Sequence, residues 1–250
     1  MTPALETTDL SRRFGGIVAT DNVSFRLERG ARQALIGPNG AGKTTFVNLL
    51  SGVMAPSRGR ILLEGKEVTQ LRPDQRVRSG LARTFQINQL FAEKSPLEAL
   101  GLAVSERSGG GRDWLRRFGK ARGLVGEVAE IAERFRLADV LEERTGRLPY
   151  GKQRQLEIAL AFASRPSVLL LDEPAAGVPQ AERQELVATL AALPREVSVL
   201  LIEHDMDLVF AYADRISVLV NGALLTEGPK DVIAKDARVR DVYLGEAHHG

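Results

Sequence analysis

The run Gly37, Pro38, Asn39, Gly40, Ala41, Gly42, Lys43, Thr44 and Thr45 restricts what this chain can fold into more than any other stretch. It fits GxxxxGK[ST] at every fixed position. A short apolar run, Ala34-Leu35-Ile36, precedes it, and Phe46, Val47, Leu49 and Leu50 follow at helical spacing. Strand, loop and helix in that order are the context the motif needs. Glycines let backbone N–H groups turn inward around an anion, and the helix that starts here adds its positive end. Lys43 is placed to reach the β- and γ-phosphates of a nucleotide, and the Thr44 hydroxyl to hold Mg²⁺.

Composition narrows the class. The chain has 250 residues, 44% hydrophobic and 26% charged, which is ordinary for a soluble globular protein with a sizeable core. A net charge of +2 gives no bulk electrostatic case for nucleic acid or an anionic membrane. With no cysteine, disulfides, thiol catalysis and cysteine-based zinc sites are excluded. The first residues lack the basic and apolar regions of a secretory signal, and no run is long enough to span a membrane. A cytosolic chain is expected, with any membrane role coming through a partner.

Residues 3–30 read as strands, with Val23, Phe25 and Leu27 alternating against Ser24, Arg26 and Glu28 as on a half-buried antiparallel strand. Phe14 lies in a turn-like stretch and reads equally as a core or hairpin aromatic or as a stacking platform for a base. Arg60 to Leu63 is a strand, Pro73 to Ser79 a short helix, and Gly80 to Phe85 a strand delivering Gln86. From about residue 87 to 165 helical periodicity takes over. Leu97, Leu100, Leu102 and Val104 mark one helix. Val125, Val128, Ala129, Ala132 and Phe135 mark another, expected to be apolar on that side. Between them, residues 105–123 are glycine-rich and basic, most simply a solvated face. A further helix opens at Gly151.

Val168 to Leu171 and Val197 to Ile202 are continuous apolar runs, the mark of strands buried on both faces of a parallel sheet. The first is closed by Asp172-Glu173-Pro174, the second by Glu203-His204-Asp205. Asp172 at a strand end can hold Mg²⁺, and Glu173 can polarise an attacking water as general base. His204 falls on the same edge of the sheet, where it can contact the γ-phosphate. Gln86, at another strand end, can reach Mg²⁺ or water. Asn221-Gly222 joins two further strands as a hairpin, and two short helices close the chain.

These segments appear in the order found in ABC-type ATPases, which the chain resembles over essentially its whole length. The resemblance makes Gly37 to Thr45 the Walker A loop, Gln86 the Q-loop, Asp172-Glu173 Walker B and His204 the switch histidine. The signature falls on Leu148, Pro149, Tyr150, Gly151, Lys152 and Gln153, and Phe14 takes the place of the aromatic that stacks on adenine. It implies an α/β fold: a P-loop NTPase core with a mainly parallel sheet (1–86 and 166–250), an antiparallel β subdomain and an inserted α-helical subdomain (about 87–165). The segments Arg13 to Gly16, Arg83 to Gln86, Asp172 to Gly177, Ile202 to Met206 and Tyr243 to Ala247 look like the ATP-binding subunit of branched-chain amino-acid importers. That resemblance implies ATP and Mg²⁺ and a second ATPase subunit, identical or different. It also implies two transmembrane permeases, a periplasmic or extracellular solute-binding protein, and a place on the cytoplasmic face of the inner membrane. No nucleic acid is expected. A lipid exporter shares the same catalytic motifs. A soluble ABC ATPase acting on nucleic acid or ribosomes typically has a second ATPase domain, a coiled-coil insertion or a cysteine zinc site, none of which is present.

Two departures stand out. Pro149 replaces the usual signature Ser and so lacks a hydroxyl and a backbone N–H. Tyr150 and Lys152 also depart from Leu-Ser-Gly-Gly-Gln, while Gly151 keeps its N–H and Lys152 offers a charge. The D-loop residues Ala176-Gly177-Val178 are followed by Pro179 where Asp or Asn is usual. The expectation is a fully equipped Walker site and a weaker site where the signature meets a partner's nucleotide.

Overall fold

The computed structural model describes residues 2–84, 92–109 and 122–246, with backbone alone at 122 and 243–246. Among the described residues, two sheets share one body. The first is antiparallel, in the order β2-β1-β4-β5, and joins β1 (Leu5–Phe14), β2 (Ile17–Leu27), β4 (Arg58–Leu63) and β5 (Lys66–Glu67). The second runs β10-β9-β3-β8-β7-β6. Here β3 (Arg32–Ile36), β6 (Leu81–Arg83), β7 (Val168–Asp172), β8 (Ser198–Ile202) and β9 (Arg215–Val220) are mutually parallel, and β10 (Ala223–Pro229) closes one edge antiparallel. This is the α/β architecture expected. The β9–β10 turn rests on Asn221 and Gly222, both at positive φ (49° and 79°), as a tight hairpin twisted with its strands requires.

The central parallel strands β3, β7 and β8 are buried along their whole length, as the apolar runs of β7 and β8 predict. Side chains alternate between two cores. Leu169, Leu171, Val199, Leu201, Ala34 and Ile36 face the core shared with most of the helices. Val168, Leu170, Leu200, Ile202 and Leu35 face the antiparallel sheet and α1 (Lys43–Ser51). In that second core Phe46 meets Phe25 edge-on, ring centroids 5.7 Å apart. Each fully buried side chain of this size contributes about 1.5–3 kcal/mol, so α1 is fixed firmly behind its loop.

The short α2 (Pro73–Arg78) precedes β6. Helices α3 (Pro96–Arg107), α4 (Arg122–Arg134) and α5 (Tyr150–Ala163) pack through Leu100, Val104, Val128, Ile131, Ala132 and Leu156. Ser95 and Glu98 cap α3 reciprocally: the Glu98 N–H donates to Ser95 Oγ (3.3 Å) and the Ser95 N–H to Glu98 Oε2 (2.9 Å). The expected apolar side of α4 is corrected in part. Val128, Ala132 and Phe135 are buried, whereas Val125 and Ala129 are exposed and Ile131 takes the inward position. The stripe follows the i, i+3, i+4, i+7 spacing from Val128, so Val125 and Ala129 flank it. The basic residues Arg116, Arg117 and Lys120 lie outside the described residues. The chain continues through α6 (Arg183–Ala191), after β7, and α7 (Met206–Tyr212), after β8. It ends in α8 (Lys230–Ile233) and α9 (Ala237–Glu246).

Candidate nucleotide site

Because β3, β7 and β8 are parallel neighbours, their carboxyl ends open on one edge. Leu35 and Asp172 both pair with Ile202, one strand on either side. Everything that follows these residues therefore collects along a row about 10 Å wide, two strand spacings. The loop Gly37–Gly42, the acids Asp172 and Glu173, and Glu203 and His204 are placed there together. Gln86 lies outside the described residues; β6, which leads towards it, ends at Arg83.

The loop after β3 is shaped by its neighbours as much as by any anion. A Cβ on Gly42 (φ 98°) would stand 2.3 Å from the Ala19 carbonyl oxygen of β2, and one on Gly37 2.1 Å from the Leu219 oxygen of β9. Neither position tolerates a side chain. The Gly222 N–H donates to the Ala41 carbonyl (2.9 Å), tying the loop to the β9–β10 hairpin. Lys43 folds back over the loop and donates to the carbonyls of Gly37 (2.5 Å) and Pro38 (2.9 Å). Thr44 and Asn39 are exposed, Ala41 is buried, and Thr45 is half-buried.

Asp172 is buried. Its carboxylate Oδ2 pairs with Arg83 (2.7 Å), and its backbone N–H donates to Thr84 Oγ1 (3.2 Å). Arg83 takes one carboxylate oxygen of two. The Asp172 carboxylate and the Thr44 hydroxyl are hard oxygen donors of the kind Mg²⁺ selects. Glu173 follows at φ 48°, a left-handed backbone uncommon for a non-glycine residue. His204 Nδ1 lies 3.9 Å from Glu173 Oε1 and 3.8 Å from Glu203 Oε2. Burial pushes the Glu203 carboxyl above its usual range, opposed by backbone N–H donors from Ala175, Asp205 and His204.

Phe14, at the end of β1, is 43% exposed, with the Arg12 guanidinium 4.8 Å from its ring centroid. That removes the buried-core reading and leaves a ring accessible on the surface.

The signature segment opens α5 with Pro149 at its N-cap. Its polar groups are turned to this chain. The Gly151 N–H donates to Glu182 Oε2 (2.8 Å), and Lys152 Nζ binds the Arg136 carbonyl (2.5 Å) and Asp139 (2.8 Å). Gln153 Nε2 donates to the Leu148 carbonyl (2.9 Å). The Tyr150 hydroxyl donates to the Ala176 carbonyl (2.9 Å) and accepts from Arg154 (2.6 Å). The charge that Lys152 was expected to offer outward is thus held by Asp139. Sequence reasoning missed Arg83, Glu203, Glu182 and Arg154. The signal for the first two was a charge set directly in or after an apolar strand.

A sequence profile of the ABC transporter family matches residues 20–176. The chain is 39% identical over 254 residues to the high-affinity branched-chain amino acid transport ATP-binding protein BraF of Pseudomonas aeruginosa, covering 98% of this chain and 99% of that protein. It is 39% identical over 252 residues to LivG of Escherichia coli, a protein of the same description, with the same coverage. Among solved structures, the ADP conformation of MJ1267, an ATP-binding cassette of an ABC transporter, matches with a TM-score of 0.82 at 28% identity, covering 98% of this chain and 100% of that one. The chain belongs to the ABC transporter family and is a nucleotide-binding ATPase subunit that powers a membrane transporter. Among the described residues no helix is long and apolar enough to cross a membrane.

Proposed function

We propose that this subunit drives import of branched-chain amino acids or a related small polar solute, and that the strand-edge cluster is one half of a shared ATP site. The observation that carries the site assignment is the meeting of Glu173 and His204, from separate parallel strands, 3.9 Å apart on the edge that holds the Lys43 loop. The substrate class rests on the relatives' printed names and on near-complete coverage at 39% identity.

In this reading Gly37–Thr45 wraps the phosphates and Phe14 stacks on adenine. Lys43 leaves the carbonyls of Gly37 and Pro38 for the β- and γ-phosphates. Thr44 and Asp172, with Gln86, would hold Mg²⁺, which would supply positive charge against the phosphate oxygens. Glu173 takes a proton from the attacking water as its oxygen bonds to the γ-phosphorus and the bond to the β–γ bridging oxygen breaks, so that ADP and inorganic phosphate leave; His204 fixes that water and the γ-phosphate. Leu148–Gln153 faces the nucleotide of a second ATPase subunit. Pro149 and the internal bonds of Gly151 and Lys152 leave this signature few outward donors, so the site it completes is the weaker one. The nucleotide-binding core spans 1–86 and 166–250, and the helical part, about 87–165, receives a permease. Two permeases and a solute-binding protein complete the assembly, with this chain peripheral on the cytoplasmic face.

The test is Glu173→Gln in the reconstituted transporter. ATP affinity should stay near wild type while ATP turnover and amino-acid uptake fall about a hundredfold or more. Retained turnover overturns the assignment of Glu173 and of this site as the hydrolytic one. Wild-type ATP turnover that neither a branched-chain amino acid nor another small polar solute stimulates overturns the substrate assignment.

A further inference from the structure

Glu203 stands between β8 and His204 and is fully buried (0% exposed). A carboxylate is kept in such a place only where donors compensate it. Three backbone N–H groups do so, and they divide between its two oxygens. Oε1 accepts from Ala175 (2.8 Å). Oε2 accepts from His204 (2.9 Å) and Asp205 (3.2 Å). Ala175 belongs to the turn that begins at Glu173, and His204 and Asp205 form the loop after the neighbouring strand. One side chain therefore grips both loops of the proposed hydrolytic pair.

The grip acts where the backbone needs it. Glu173 holds φ 48°, and a non-glycine residue keeps that conformation when its surroundings over-determine it. The Glu173 N–H donates to the Ile202 carbonyl (2.9 Å), and the Ala176 N–H returns to the Glu173 carbonyl (3.0 Å). Glu203 fixes Ala175, one of the two residues between. On the other side Asp205 caps α7 by accepting from the Leu208 N–H (3.1 Å) and pairs with Arg183, so the His204 loop is anchored at its far end too.

We propose that Glu203 is a positioning residue for ATP hydrolysis, whose two carboxylate oxygens clasp the Glu173 turn and the His204 loop in one arrangement. It touches no reacting atom and acts through the other two. This rests on the reading of Glu173 and His204 as the hydrolytic pair.

The experiment compares Glu203→Gln, Glu203→Asp and Glu173→Gln in the reconstituted transporter. ATP affinity of each isolated chain is measured alongside. Gln keeps the shape but sets an NH₂ against backbone donors; Asp keeps the charge but is too short to span both loops. For both Glu203 variants kcat should fall about tenfold or more, since small misplacements of reacting groups are costly. KM and ATP affinity should stay within about twofold of wild type, because the phosphate loop is untouched. An unchanged kcat, or kcat and affinity lost together, overturns the clasp. If Glu203→Gln does not assemble, Glu203→Asp decides by the same split. If Glu173→Gln retains turnover, it is the underlying site assignment that has failed, whatever the Glu203 variants do.

Discussion

Arg83 and Asp172 form an ion pair of 2.7 Å in which both side chains are nearly buried, 9% and 5% exposed. Arg83 reaches further. Its Nη1 donates to Asn48 Oδ1 (2.7 Å) and Ser51 Oγ (3.0 Å) on α1. A single guanidinium thus joins the helix behind the phosphate loop to the strand that carries the acidic pair. The planar fork suits this, since its donors point to two partners at fixed angles.

Removing one partner of a buried pair leaves the other charge uncompensated, which typically costs about 3–5 kcal/mol. Arg83→Met should therefore lower unfolding free energy by about that amount in urea denaturation. Arg83→Lys retains the charge and loses the fork. It should fold, yet hydrolyse ATP more slowly, because Asp172 and α1 are no longer held by one rigid group. Wild-type turnover in Arg83→Lys would show that charge alone, and not the shared geometry, is what this position needs.

Arg76 makes a second buried brace. It is 1% exposed and donates to the carbonyls of Leu49 and Leu50 (2.6 Å each), Thr69 (2.8 Å) and Leu71 (3.0 Å). Leu49 and Leu50 lie in the last turn of α1; the Leu49 carbonyl also accepts from the Gly52 N–H (3.3 Å), whereas the Leu50 carbonyl is past the reach of the helix's own N–H groups. Burial pulls the Arg76 pKa down to about 10. Arg76→Met fits the space and strands the Leu50, Thr69 and Leu71 carbonyls, while Leu49 keeps the Gly52 N–H. A loss of about 3 kcal/mol or more is expected from the desolvated carbonyls, measured as a lower denaturation midpoint at unchanged m-value.

The fold was legible because its strongest signals are local. Val168–Leu171 and Val197–Ile202 announce strands buried on both faces, and an acid or histidine directly after each is placed by parallel pairing alone. What could not be read was contact across the sheet edge. Nothing near Gly42 in sequence announces the Ala19 carbonyl that excludes a Cβ there. Arg83 and Arg76 look like surface charges until the neighbouring elements close over them. Val125 fits a helical stripe by spacing, and only the packing of α4 shows that the stripe begins at Val128. At the signature, Pro149, Tyr150 and Lys152 were legible as departures from a pattern. That Tyr150 bonds to the turn after Glu173 depends on the approach of two distant loops.

That contact gives the last prediction. The Tyr150 hydroxyl donates to the Ala176 carbonyl at 2.9 Å, and Arg154 braces it at 2.6 Å while pairing with Glu157 at 2.6 Å. Gly177 is at φ 75°, where a Cβ would come within 3.0 Å of the same hydroxyl. In the proposed assembly Tyr150 serves the partner's nucleotide, whereas Ala176 lies three residues beyond Glu173, which serves this chain's own. Their hydrogen bond is then a direct link between the two ATP sites. Tyr150→Phe deletes the hydroxyl and keeps the ring. The isolated chain should lose about 2–4 kcal/mol of stability, one neutral hydrogen bond and one from the Arg154 cation, and bind ATP as before. The assembled transporter should lose turnover several-fold, because closure at the signature no longer pulls on the Glu173 turn. Turnover equal to wild type, measured at saturating ATP, would show that the two sites do not communicate through this bond.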